Sequence, residues 1–441
     1  MDLLGLNVKN INMYTLVKIP NIINMNLAPT TVNPNFNTAR DGVNTPYVEP
    51  EGVLDLTNYT GALQYFFKGI NLSKIELICD KTLTQTDFSY CFVESTWDEG
   101  TTPYISIVNR LPNNITNMDY MFYKTPIEII DWLINKTLNY NATAKYMFSE
   151  SKVKSIHDVI FGPNIDPSYM FYNCPELIEA YNLTFNCSKT ISTFENCPNL
   201  TNIRNVTIPG VSDMSKMYRY SGITNPINIT SNVSIFTNAF AYTKIENIDG
   251  FRIENYPGYG NDVGPFRDND NFLLFTGCDL KSVRNTYIDY SLGAWFHDMP
   301  GGQPSFFRDF INLSYIDLEV GPNCKSMYYV TTNTRTEYLH IKGPTSGIIC
   351  DCGNICADMK IPSTTDLHVD LENIKPKSIS YGFINCPSNI IFDRQLDTSE
   401  LTSAVSAFEA CRMKCVKLTQ GKISKNNSTH NRSPLTLGGS P

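Results

Sequence analysis

One arrangement of apolar positions recurs along this chain. An aromatic residue is followed by a small residue three places later. Two apolar residues then follow, at five or six and at eight or nine places. Phe171 leads to Cys174, Leu177 and Ala180, and Phe194 to Cys197, Leu200 and Ile203. The aromatic anchors Phe148, Phe171, Phe194, Tyr218 and Phe240 stand 22 to 24 residues apart. Phe66, Phe122, Phe275 and Phe307 open further copies, and Phe92 opens an interrupted one. Tyr328 or Tyr329, then Phe383 and Phe408, continue the series less regularly. The two apolar slots mostly slip together by one place, as a single-residue insertion in a tight turn would cause.

Each copy has too little apolar surface to fold alone. Stacked copies bury their columns of Phe, Leu and Ile against one another. The pattern therefore predicts a β-rich solenoid of about 23 residues per repeat, a period within the range of such repeats. The β-rich segments IEII, NIRNVTI, PINIT, YIDLEV and YLHIKG are its expected strands. They would form a parallel ladder with strands about 4.8 Å apart. Pro and Asn in NCPEL and NCPNL suit the turn that precedes a strand.

The repeats occupy residues 53–420. Residues 1–52 carry no repeat and hold Pro20, Pro29, Pro34, Pro46 and Pro50. That density suits an extended arm, either a leader without fixed structure or a segment that docks on a neighbouring subunit. Residues 421–441 form a polar tail. Insertions break the period at 93–110, 250–272 and 289–305.

Composition narrows the function classes. Charged residues are 18% of the chain, against about 25% in ordinary soluble domains. Net charge is −8, so the basic footprint of nucleic-acid or anionic-membrane binding is absent. The first residues, MDLLGLNVKNINMYTLVKIP, interrupt any apolar run with polar side chains, so no secretory signal is expected. No run of about 18 apolar residues predicts a membrane-spanning helix.

Thirteen cysteines, an odd number, lack the spacing of a small disulfide scaffold, and buried reduced thiols are expected. Cys174, Cys197, Cys278, Cys386 and Cys411 fall three after an anchor. Thr125, Ser151, Ser221 and Thr243 fill the same slot elsewhere. A position shared by Cys, Ser and Thr is a small inward site that hydrogen-bonds its turn. Cys350, Cys352 and Cys356 lie outside that slot. Their C-x-C-x-x-x-C spacing departs from the CxxC pairs of zinc sites, so neither metal nor cofactor is expected. The histidines are scattered, with His340 and His368 on alternating strands and expected to face solvent. No GxSxG or HExxH motif is present. The sequons at Asn141, Asn182, Asn205 and Asn228 read as a consequence of composition.

The segments ITNMDYMFYKTPIEII, DPSYMFYNCPELIEA and VSDMSKMYRYSGI resemble the BspA-like leucine-rich repeats, in particular the subclass written V-T-N-M-x-x-M-F-x-x-C-x-x-L. Met118, Met121 and Phe122 carry the match, as do Met170, Phe171, Cys174 and Leu177, and Met214, Met217 and Tyr218. The resemblance implies a curved leucine-rich-repeat solenoid with short parallel strands and a binding or structural role rather than an enzymatic one. Such repeats occur in surface proteins of bacteria and protists and in phage-encoded proteins. With no export signal in view, the expectation is a virion component of a phage in a tail, baseplate or head-decoration position. It would be assembled in the host cytoplasm. Its partners would be other virion proteins, or a host-surface protein or glycan, within a homo-oligomer or larger assembly. A cell-surface adhesin is the alternative.

Recognition usually sits on loops held by a rigid scaffold, and aromatic side chains supply contact area at little entropic cost. The last two insertions are rich in both Gly and aromatics. The candidate binding residues are therefore Tyr256, Tyr259, Phe266, Tyr290, Trp295 and Phe296. The other reading is that these loops fold back and cover a gap in the scaffold.

Overall fold

A computed structural model describes residues 86–95, 114–254 except 231, 273–293 and 305–411, together with residue 64. It also describes the backbone of the strands at 26–27, 30–31, 51–55, 74–78, 104–108 and 412–415. Contacts divide the chain into two compact units. One holds Met1–Pro257 and Asp262–Asp279, the other Gly258–Asn261 and Leu280–Pro441.

In the first unit, β1 (Asn26–Leu27) and β2 (Thr30–Thr31) form a short antiparallel pair inside the segment expected to be an arm. β3 (Glu51–Asp55), β4 (Lys74–Ile78) and β5 (Tyr104–Val108) form a parallel sheet in that order. β5 lies within the segment expected to be the first insertion. Its sequence YISIV alternates in the strand period, so this stretch continues the ladder instead of leaving it. A parallel sheet follows from β6 (Lys136–Leu138), β7 (Ser155–Phe161), β8 (Glu179–Phe185) and β9 (Asn202–Thr207). β10 is Arg252–Ile253.

The second unit holds β11 (Ser282–Ile288), β12 (Tyr315–Val320) and β13 (Tyr338–Lys342). Then come β14 (Ile348–Asp351), β15 (Asp366–Glu372), β16 (Ile374–Ser378), β17 (Asn389–Phe392) and β18 (Arg412–Cys415). The order β11-β12-β13-β15-β17-β18 is parallel at every described pairing, and β14 pairs with β16 beside it. Among the described residues helix is nearly absent, represented by the 3-10 turn Asp131–Leu133. The protein is thus β-rich with parallel strands. IEII and PINIT, expected as strands, contribute only the single bridge residues Ile129 and Ile229.

Two features set the register. On the strands, Asp158, Asn182 and Asn205 occupy the same bulge with left-handed φ of 51–54°. Asp and Asn tolerate that conformation. Their side chains stack as a ladder, with Asn182 Nδ2 donating to Asp158 at 2.8 Å and Asn205 Nδ2 to Asn182 at 2.9 Å. Two of the sequon asparagines are thus engaged in packing neighbouring strands.

The second feature is the turn before each strand. Most described turns carry two left-handed residues four apart, such as Tyr120 and Lys124, Tyr146 and Glu150, or Tyr169 and Asn173. The anchor lies midway between them. The N–H groups of these three residues all donate to the next copy. Tyr169 donates to Ile191 O, Phe171 to Thr193 O and Asn173 to Glu195 O, at 2.8–3.0 Å. The residues between them donate within their own turn, as Met170 does to Pro167 and Tyr172 to Tyr169. Buried backbone groups need partners, and this alternation supplies them without helix or strand.

The same pattern corrects the sequence reading of the second unit. Thr331, between left-handed Tyr329 and Asn333, donates to Ile355 O and holds the anchor place expected for Tyr328 or Tyr329. Cys356, between Asn354 and Asp358, donates to Gly382 O and holds the next one. Cys356 is therefore inside the repeat register, whereas Cys350 and Cys352 stay outside it. Small side chains fill these slots because slot identity lies in the backbone, not in the ring.

The core of the first unit is a column of stacked rings. Phe92, Phe122, Phe148, Phe171, Phe194, Tyr218, Phe240 and Phe275 follow one another at centroid spacings of 5.0–5.8 Å. All are buried. Tyr218 is the misfit, since its buried hydroxyl finds no hydrogen-bond partner. An unpaired buried hydroxyl costs on the order of 1 kcal/mol or more. Tyr218→Phe is expected to raise unfolding stability by about 1 kcal/mol, read as a higher denaturant midpoint at unchanged slope.

Candidate functional site

The slot three after the anchor proves to be scaffold. Thr125 Oγ1 donates to Phe122 O at 2.7 Å and Thr243 Oγ1 to Phe240 O at 2.8 Å, each closing its own turn. Cysteine there mostly reaches back one copy instead. Cys174 Sγ donates to Phe148 O, Cys197 Sγ to Phe171 O and Cys278 Sγ to Phe240 O, at 3.0–3.2 Å. Cys411 closes its own turn onto Phe408 O at 2.8 Å. The longer, softer thiol spans neighbouring copies where the hydroxyl spans one turn.

The eleven described cysteines are free, and all but Cys411 are buried. Burial pushes the Cys174 and Cys187 thiols up to about 12 and that of Cys411 to about 11. Cys350 is raised well above the ordinary range by burial and by its thiol neighbours Cys324 and Cys352. A raised thiol stays protonated and unreactive at neutral pH. Among the described residues no grouping of three or more His, Cys, Asp or Glu is arranged to hold a metal ion. With a thiol reagent at pH 8, the ten buried described cysteines are expected to stay unlabelled in the native protein. Unfolding should open all thirteen, and peptide mass spectrometry reads the sites.

Of the aromatic loop residues, Tyr256, Tyr259, Phe266, Trp295 and Phe296 lie outside the described residues. Tyr290 is described. Its half-buried ring packs edge-on against Phe306 at 5.9 Å. His297 also lies outside the described residues.

The most ordered aromatic surface lies elsewhere, on the turns of the first unit. Tyr90, Tyr120, Tyr146 and Tyr169 each precede an anchor by two places and take its first left-handed position. Their half-buried rings stack at 4.7, 4.8 and 4.5 Å. Tyr123 and Tyr172 meet this row edge-on. Burial, then the neighbouring Tyr169 and Tyr120, pushes the Tyr146 phenol up to about 12. Burial and the Asp119 carboxylate raise Tyr120. Tyr123 is raised by burial and by donating to Glu150 at 2.8 Å. All three therefore stay as neutral phenols at neutral pH. Lys124 pairs with Glu150 at 3.8 Å and Lys145 with Asp166 at 3.3 Å along the same face.

The sequence does signal this row, in the Tyr of DYMFY, KYMFS and SYMFY, two before each Phe. Chemically, the row offers a flat strip of phenol edges flanked by paired charges, a contact surface with area and hydroxyl donors.

The outer face of the second unit is built of charge rows. His340 Nδ1 lies 2.8 Å from Asp317, and its Nε2 lies 3.8 and 3.7 Å from Asp370 and Glu372. Arg394 holds both of those carboxylates at 2.9 Å. His340 is on the outer face as expected, but its neighbours cover it to 19% exposure. His368, 42% exposed, pairs with Asp393 at 2.9 Å. A shallow concavity of about 420 Å³ lies in the first unit, lined by Lys154, Glu176, Ile178, Asn199 and Thr201. No helix among the described residues is long and apolar enough to cross a membrane. No protein-family model, curated protein or solved structure matches the chain.

Proposed function

We propose that this chain is a leucine-rich-repeat solenoid of the BspA-like kind. It serves as a non-enzymatic structural and binding component of a phage virion, in a tail, baseplate or head-decoration position. The observation that supports this reading is the register of the turns. Copy after copy places a ring, a small hydrogen-bonding residue and three forward-pointing N–H groups in the same places. Stacked copies with side chains in matching rows are what a repeat scaffold needs. The motif residues are thereby assigned to the scaffold, and contact with other molecules falls to the surface rows and the interrupting loops. The tyrosine row from Tyr90 to Tyr169 is the described surface best suited to a host-surface protein or glycan.

Mass spectrometry of purified virions from the phage encoding the chain tests the role. Stoichiometric recovery is expected. Absence from virions, with recovery in a cell-envelope fraction, would favour a surface adhesin instead. Attachment is read separately with Tyr120→Ser/Tyr146→Ser. Reduced binding to host cells is expected from a protein that still unfolds cooperatively, with its midpoint lowered by the lost ring stacking.

A further inference from the structure

Tyr220 and Tyr242 each lie two places after an anchor, at left-handed φ of 58° and 57°. Equal backbone in neighbouring copies lays one ring on the other. Their centroids stand 4.7 Å apart, with planes 14° from parallel. Gly277 holds the same place after Phe275. The Tyr242 ring lies against its backbone, where an added Cβ would stand 2.3 Å from the ring. Yet Tyr220 and Tyr242 are 43% and 46% exposed. With a ring on one face of Tyr242 and a backbone on the other, that exposure falls on the ring edge. The edge carries the hydroxyl and the carbons ortho to it.

Other tyrosines stack but are less open. Tyr90, Tyr120, Tyr146 and Tyr169 are half-buried. Burial holds the Tyr120 and Tyr146 phenols above their ordinary range. Tyr315 and Tyr338 stack at 4.7 Å and are also half-buried, with Arg284 lying over the Tyr315 ring. Among the described residues, Tyr220 and Tyr242 are the one stacked tyrosine pair with both rings exposed.

The chemistry that suits such a pair is radical coupling. A phenol that loses an electron and a proton becomes a phenoxyl radical, with spin on the carbons ortho to oxygen. Two such radicals couple where those carbons meet. Separate rings must meet by diffusion, whereas rings held together react at a high effective concentration. The ring centres of this pair already stand close to the spacing of a biaryl. A tilt at the exposed edge brings ortho carbons together.

We propose that Tyr220 and Tyr242 form an oxidative cross-linking site, joined ortho to ortho as a dityrosine when a haem peroxidase and hydrogen peroxide act on the chain. Each phenol gives up one electron and one proton, and the peroxide is reduced to two molecules of water. One carbon–carbon bond forms between the rings. The two ortho hydrogens move to the oxygens and restore both phenols. The bond ties two consecutive copies covalently, which the described cysteines, all free, do not. The proposal goes beyond the role assigned above, since it holds whatever the side surfaces bind.

The test treats the full chain, at low concentration, with a haem peroxidase and one equivalent of hydrogen peroxide. Dityrosine fluorescence and peptide mass spectrometry are read on the monomer fraction. The expected product is a peptide pair joined between Tyr220 and Tyr242, two hydrogens lighter than its parts. This localisation uses the unaltered chain and needs no variant to fold. Tyr242→Phe keeps the ring and its stack but lacks the phenol. It should lower early dityrosine in the monomer about tenfold, as loss of a held partner implies. Tyr381→Phe removes a phenol that is also 43% exposed but stacks on no tyrosine among the described residues. It should leave the yield unchanged. Monomer without dityrosine overturns the proposal. So do links found only between chains, or links that form first within the Tyr90–Tyr169 row. A yield indifferent to Tyr242→Phe overturns it as well.

Discussion

Phe171→Ala is expected to destabilise the first unit by about 3–5 kcal/mol, the range for removing a fully buried Phe. Phe171 lies between Phe148 at 5.4 Å and Phe194 at 5.6 Å, and none of the three is exposed. Its removal leaves a void bounded above and below by flat rings, and neither ring can tilt into it without losing its stack on the far side. The turns on both sides are tied by the N–H ladder at the rungs that hold Phe171, so collapse around the void is resisted. Phe408→Ala, at a half-exposed ring with one stacking partner among the described residues, Phe383, should cost well under half as much. Chemical denaturation of both variants checks the contrast. Equal losses would show that the column does not act as a stack.

Arg219→Met is expected to cost about 3 kcal/mol, because it strips the partner from a carboxylate that cannot reach water. The Glu195 side chain is 6% exposed, and Arg219 Nε is its ion-pair partner at 2.7 Å. Breaking a buried pair by removing one member is costly, since the remaining charge is left uncompensated. Glu195→Gln added to Arg219→Met should recover most of the loss, as removing both charges of such a pair is often close to neutral. The arginine has a second contact, lying over the Tyr220 ring at 5.0 Å. Methionine keeps apolar contact with that ring, so the measured change isolates the charge. A double variant no more stable than Arg219→Met would assign the loss to packing instead.

The first unit was the more legible in sequence because it writes its slots in large side chains. A Phe followed by Cys or Thr at plus three fixes both the buried column and the turn, and the structure sets those residues where the spacing puts them. The second unit hid two slots. Thr331 and Cys356 hold anchor places without being aromatic, and only the flanking left-handed residues identify them. Those positions are occupied by Tyr, Asn and Asp there, and by Glu, Lys, Ser and Ala elsewhere. With so little glycine among them, the most readable sign of a positive φ is missing from the sequence. IEII fell short of a strand for a related reason. Its apolar residues serve the core slots Ile127 and Ile130, so the segment pairs only at the bridge residue Ile129 before β6.

The candidate surface was less legible than the scaffold. Aromatic content pointed to the interrupting loops, since loops so often carry recognition. It could not indicate that Tyr90, Tyr120, Tyr146 and Tyr169 form a continuous row, because stacking depends on equal left-handed backbone at each copy. Tyr290 shows the converse, an aromatic loop residue whose ring packs on Phe306.

The forward-pointing N–H groups also bear on how the chain folds. Nearly every one of these bonds closes a loop of one repeat, whichever turn makes it. Loop closure costs entropy that depends only weakly on length, so each added copy meets almost the same barrier as the one before. The expensive step is the first pair of neighbours, which must order two turns before either gains a stacked ring. After that the chain can zip in either direction from wherever the pair formed. Folding rate should then depend little on which end is made first, and a destabilised turn in the middle should split the zipper into two runs that form separately.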